Sequence, residues 1–196
     1  MSNINLKNVK KLLSSEKAQR GDSSVLDNLL FLGKGVECKA YSYKDICIKD
    51  YGDEHEAIRQ LESWKKCGKS KLFPKIYGIK GRYLIMERIY GELMEHVDDD
   101  EYLELAREEL TKFAKEQVEK GIMPYDLHPC NVMITNDEKI KIIDVGYFST
   151  LEEEELDEEE ALYSLNEDYE EWYSNEHCSY SSDYNSLYNS CESSWM

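Results

Sequence analysis

Asp126 and Asn131 stand five residues apart in the stretch GIMPYDLHPCNVMI, on a loop that precedes an apolar run. A carboxylate and an amide held that close, with Pro129 between them, suit a site better than a plain turn. An Asx-type turn capped by its own side chains is the structural alternative. A second carboxylate, Asp144, ends the run IKIIDVG that follows the turn NDEK. Upstream, Lys49 ends the strand pattern ICIK, and Gly33 and Gly35 form a glycine turn between two strand patterns. Glycines in such a turn let the backbone approach phosphates that side chains would obstruct. Taken singly, the glycine turn reads as a hairpin and Lys49 as a surface lysine. Their order along one chain argues against coincidence.

The elements that must position these residues follow from periodicity. Residues 28–35 and 39–51 read as strands, and 53–68 as a helix capped by Asp53 and stopped by Gly68. Residues 75–91 give two strands around a Lys-Gly turn. Residues 98–121 form the longest helix, with Leu103, Ala106, Leu110 and Phe113 on one stripe and Gly121 as its stop. The segments NVMIT and IKIIDVG read as a hairpin. Ahead of all these, NLKNVKKLLSSEKA is an amphipathic helix, with Leu6, Val9, Leu12 and Leu13 facing the body.

The 196 residues carry a formal net charge of -17, unevenly placed. No Lys or Arg follows Lys141, and residues 147–196 hold 15 acidic side chains. The remaining 26 acidic and 24 basic groups leave the body nearly neutral. That balance argues against a nucleic-acid binder, which needs cations to displace counterions. The absence of an N-terminal apolar segment and of a long apolar run leads to the expectation of a soluble protein with no membrane partner. Six scattered cysteines without a CxxC pair suggest a reducing, cytosol-like compartment. The acidic, Tyr- and Ser-rich segment 151–196 is expected to be largely disordered with room for one helix, dispensable for folding, and suited to a basic partner or to autophosphorylation.

At Gly33, Gly35, Lys49, Asp126, Asn131 and Asp144 the sequence resembles the protein-kinase-like family, from about Leu29 to Phe148. The resemblance implies an α+β, two-lobed fold with a truncated C-terminal lobe. Its units would be an N-terminal helical extension (1–28), a minimal kinase-like domain (29–150, the lobes meeting near 90) and the acidic tail. It implies ATP and Mg2+ as cofactors, with Asp126 as the catalytic residue that orients or deprotonates an acceptor hydroxyl. Asn131 and Asp144 would hold the metal, and Gly33, Gly35 and Lys49 the phosphates. The segment MERI takes the place of the adenine-binding hinge, which adds Glu87 and Ile89 to the nucleotide contacts. The family pattern favours Glu56 as the partner of Lys49, with Glu54 and Glu62 as rivals, since Glu56 also has capping-box spacing from Asp53.

The departures are informative. Cys38 stands at the third glycine position, Pro124 and Tyr125 where many protein kinases have His and Arg, and Val145 at the usual Phe. His128 replaces the usual Lys, as in small-molecule kinases similar to the aminoglycoside phosphotransferases. No activation segment follows Gly146. The expectation is a minimal serine/threonine protein kinase of bacterial, viral or effector type, acting on a protein hydroxyl in the cytoplasm (the host's, if viral or secreted). A small-molecule kinase and a nucleotide-binding pseudokinase are the alternatives.

Overall fold

The computed structural model describes the backbone of residues 3–173 and the side chains of 5–166. Helix α1 (Asn3–Leu13) and the short α2 (Glu16–Gln19), capped by Ser15, lead into strands β1 (Leu30–Lys34), β2 (Lys39–Tyr43) and β3 (Ile46–Asp50). The stretch expected as one strand, 39–51, is a hairpin. Lys44 takes a left-handed turn conformation (φ 54°) and divides it. Helix α3 (Glu54–Cys67) follows, then β4 (Ile76–Lys80) and β5 (Tyr83–Glu87), closing an antiparallel sheet in the order β1-β2-β3-β5-β4.

Period-two alternation gives this sheet two different faces. Ile46, Ile48, Tyr83 and Ile85 point to one side, where Val9, Leu13, Ala18, Val25 and Leu26 of the N-terminal segment cover them. The intervening Leu84 and Met86 join a second core with Ala57 and Trp64 of α3. Lys49 and Tyr51 lie on this inner face, so β3 delivers the lysine to the interior because its neighbours face the N-terminal helices.

Strand β6 (Gly91–Leu93) crosses to helix α4 (Asp100–Val118), which buries Ala106, Leu110, Phe113 and Ala114. Asp99 caps the helix, and Gly121 (φ 79°) closes its end, its N–H donating to Val118 O at 2.8 Å. Strand β7 (Ile122–Pro124) follows, then β8 (Val132–Thr135) and β9 (Ile140–Ile142), which form the expected hairpin, and β10 (Phe148–Thr150). The order β6-β8-β9 makes one small sheet and β7–β10 another. Gly91 is required at its crossing, because a Cβ there would meet Ile134 O at 1.9 Å. Both chemistry-bearing loops, 125–131 and 143–147, run between these two small sheets, from β7 to β8 and from β9 to β10.

The segment after residue 150 contains one helix, for which its sequence left room: residues 158–173 form helix α5 (Glu158–Tyr173). Asp157 and Glu160 exchange capping bonds at its start, at 2.9 and 3.1 Å. Ala161 and Leu165 are buried in the same core as Leu110 and Phe113, and Leu151, Leu156 and Leu162 pack against it. The few apolar residues of this segment share one face, and that stripe docks the helix. The expectations for residues 174–196 lie outside the described residues. Among the described residues no helix is long and apolar enough to cross a membrane.

Candidate active site

The loop between β7 and β8 builds its own geometry. Asp126 adopts φ 64°, a left-handed conformation that Asp tolerates better than most residues. A short 3₁₀ turn (Pro129–Asn131) returns the chain, with Asn131 N–H donating to His128 O at 2.9 Å. Asn131 Nδ2 donates to the Asp126 carbonyl at 2.9 Å and to its Oδ2 at 2.8 Å. With the amide nitrogen so engaged, Asn131 keeps its carbonyl Oδ1 for a cation. His128 Nδ1 accepts from Cys130 N–H at 3.2 Å, and Nε2 lies 3.1 Å from Asp126 Oδ1. The Nδ1 bond selects the tautomer protonated at Nε2, so His128 donates to the carboxylate. Asp126 is thus held from both sides.

Asp144 is tied to this loop through the backbone, since Ile143 N–H donates to Asn131 O at 2.9 Å. Its Oδ1 accepts from Gly146 N–H at 3.0 Å, and its Oδ2 meets Lys49 Nζ at 2.5 Å. Lys49 also donates to Ile143 O at 3.0 Å. Burial is the largest single influence and works against the charged ammonium, but the Asp144 carboxylate together with Tyr51 and Cys38 outweighs it and raises the Lys49 pKa well above the ordinary lysine value. Cys38 and Cys47 lie close to Lys49, and burial pushes both thiols up, Cys47 to about 11. Neither is therefore an activated thiolate.

Of the residues named from sequence, Lys49, Asp126, Asn131 and Asp144 converge. Glu56 does not join them. Its carboxylate takes Arg59 at 2.7–3.0 Å and Gln60 at 3.1 Å, and those bonds, Arg59 first, hold its pKa below the usual range. Its rivals Glu54 and Glu62 are exposed on the outer surface of α3. The lysine's observed carboxylate is Asp144. Gly33 sits in β1 opposite Ala40, and Gly35 N–H bonds Cys38 O at 2.8 Å. A Cβ on Gly35 would meet only Cys38 O, at 3.8 Å, so the chain itself does not require glycine there. Along the expected hinge, the Glu87 and Arg88 amides are spent on Lys75 O (2.8 Å) and Asp45 O (3.0 Å), while Ile89 lies just beyond the end of β5.

Four residues that sequence reasoning passed over complete the surroundings. Glu37, beyond Gly35, accepts from Tyr147 OH at 2.8 Å, from Gln60 Nε2 at 3.1 Å and from Arg59 Nη2 at 3.3 Å. Arg59 Nη1 donates to Gly146 O at 2.8 Å. Gln60 is buried against Gly146, where a Cβ would come within 2.3 Å of its Nε2. A glutamine on the apolar stripe of α3, between Ala57 and Trp64, was the signal available in the sequence.

Hard oxygens in this arrangement suit Mg2+, which takes one or two protein carboxylates or amides plus substrate oxygens. Asn131 Oδ1 and the Asp144 carboxylate are such a pair. Among the described residues no group of three or more His, Cys, Asp or Glu is arranged to hold a metal, so a cation here depends on a ligand's oxygens as well. A family model described as the ABC1 atypical kinase-like domain matches residues 49–172, from the lysine to the end of α5. No curated protein matches the sequence.

Proposed function

The chain belongs to the ABC1 atypical kinase-like domain family, and on that premise we propose that it is an ATP- and Mg2+-dependent phosphotransferase acting on a protein serine or threonine hydroxyl in the cytoplasm. The observation that carries the reading is the convergence of Lys49, Asp126, Asn131 and Asp144, joined through the Ile143 to Asn131 backbone bond.

In this reading Asp126 accepts the proton of the acceptor hydroxyl as its oxygen bonds to the terminal phosphorus. The bond from that phosphorus to the bridging oxygen breaks, and ADP leaves with the electron pair. His128 and Asn131 hold the carboxylate in place for this transfer. Lys49 supplies positive charge to the phosphates. Mg2+, held by Asn131 and Asp144, would neutralise charge on the phosphate oxygens. Gly35, with no steric need of its own for glycine, gives the backbone room to approach them, and Ile89 offers the backbone for the base.

A second reading is a nucleotide-binding module without turnover. It is favoured by Glu56 pairing with Arg59 while Lys49 pairs with Asp144. Incubation with labelled ATP, Mg2+ and a panel of protein and small-molecule acceptors tests both. Transfer by the wild type that disappears in Asp144→Ala supports the first reading. Saturable Mg-ATP binding with no transfer to any acceptor supports the second.

A further inference from the structure

Glu37 is the one acidic residue of the glycine turn, and its carboxylate is claimed from three directions. Tyr147 lies 110 residues away, just beyond Asp144, and gives the shortest bond, 2.8 Å. Gln60 and Arg59 add 3.1 and 3.3 Å contacts from α3. Tyr147 is anchored in turn, with the Arg59 guanidinium 5.7 Å from its ring centroid and bonded to Gly146 O. The bond to Glu37 is the leading reason that the Tyr147 hydroxyl is a weaker acid than an ordinary tyrosine. Asp126 also acts on that hydroxyl, and Asp144 acts with Glu37 on Cys38. Through Tyr147, three residues after Asp144, the Glu37 carboxylate is fastened to the segment that leaves the site.

This closure leaves something unsatisfied. Gln60 is 1% exposed, and its amide bonds run from Nε2, to Glu37 and to Glu56. Its Oε1 is buried with no donor among the described residues. A buried acceptor without a donor is costly and disfavours the closed arrangement. Arg59 likewise divides one guanidinium between two carboxylates, holding Glu56 more closely than Glu37.

We propose that Glu37 is a latch: it fastens the glycine turn to α3 and to the segment after Asp144, closing the site against polyphosphate ligands until the carboxylate is displaced. Its charge opposes a triphosphate entering beside it, and its three bonds hold the turn down. Release frees the Gln60 amide to turn Oε1 toward water. The part that concerns nucleotide rests on the function proposed above; the fastening of the turn does not.

The test uses the full chain and two variants, Glu37→Gln, which keeps the shape and removes the charge, and Tyr147→Phe, which removes one donor. Hydrogen exchange of the peptide spanning residues 32–43 is followed without ligand, and binding of a fluorescent ATP analogue with Mg2+ is titrated alongside. Both variants should exchange the turn amides about three- to tenfold faster, and Glu37→Gln should bind the analogue about three- to tenfold more tightly. Unchanged exchange in both variants overturns the latch, whatever the nucleotide does. Faster exchange with weaker binding also overturns it, because Glu37 would then hold the turn for the ligand. Faster exchange with no binding by any form supports the latch and removes the nucleotide reading instead. If Glu37→Gln fails to fold, Tyr147→Phe carries the same comparison.

Discussion

Asn131 reaches Asp126 across five positions of one loop, whereas Lys49 reaches Asp144 across 95 and Glu37 reaches Tyr147 across 110. The first contact forms whenever its loop forms. The other two exist only when the five-stranded sheet and α3 are docked on the β7–β10 region. The cost of closing a loop grows with its length, so distant contacts depend on the packing that holds their segments together. One side of the site is therefore self-contained and the other is conditional.

The largest effect belongs to the self-contained side. Asp126→Asn, which removes the base but tolerates the same left-handed backbone, should reduce phosphate transfer by about 10²–10⁴-fold, the usual contribution of a general base. The melting temperature should change little, because the side chain's partners lie in its own loop and at a half-exposed position. Measuring transfer and thermal melting together checks it. A loss of transfer accompanied by unfolding would show that this loop is as conditional as its neighbour.

The conditional side should break from a distance. Leu165 is 1% exposed in the core shared with Leu110 and Phe113, far from any chemistry. Leu165→Ala should cost about 2–4 kcal/mol by urea unfolding, from lost burial and the cavity left behind. Removing residues 153–196 should cost more, because Ala161 and the Lys66–Glu153 pair go with it. A truncated chain that melts as the full chain does would return α5 to the dispensable status its composition suggested.

Within the Lys49–Asp144 pair the two partners are not equivalent. Asp144→Ala leaves a buried ammonium with Ile143 O as its remaining bond, an arrangement that should cost about 3 kcal/mol, the low end for a broken buried pair because the Asp144 side is partly open to water. Lys49→Met leaves a carboxylate whose side chain is 27% exposed and still bonded to Gly146 N–H, which should cost about 1 kcal/mol. Denaturant midpoints of the two variants test the order. Because the lysine pKa is raised, this stabilisation is present below the ordinary lysine value and is lost only as pH rises through the raised one. Equal costs would mean that the lysine is better hydrated than its burial implies.

The same division explains what could be read from the sequence. Asp126, Asn131 and the β8–β9 hairpin were legible because spacing and turn chemistry act over a few residues. Lys49 was legible through strand alternation, which sets the face but not the partner, and so Glu56 was expected where Asp144 stands. Arg59, three residues after Glu56, competes for that carboxylate locally, and a helical i, i+3 pair needs no tertiary docking. Glu37 and Tyr147 carried no local signal, since their contact exists only after the chain has folded. Helix α5 was obscured by charge. Its eight neighbouring acids, four of them ahead of Asp157, masked a narrow stripe containing Ala161 and Leu165.

The smallest expected effect lies where the acidic segment first meets the body. Glu153 pairs with Lys66 of α3 at 2.7 Å and accepts from Thr150 N–H at 2.8 Å. The Lys66 bond first, and the Thr150 bonds after it, lower its pKa to about 2 from the ordinary 4.5. A carboxyl depressed by folding stabilises the fold above its ordinary pKa, and that contribution disappears as pH falls from about 4.5 towards 2. The pair is solvent-exposed, so salt should screen it and its share of total stability should be slight. Glu153→Gln should leave the melting temperature almost unchanged at neutral pH and flatten its decline in that acidic window at low ionic strength. Added salt should bring wild type and variant together. If wild type and Glu153→Gln decline in parallel at low salt, Lys66 does not hold this segment, and the docking of α5 rests on its apolar contacts, Ala161 and Leu165 foremost.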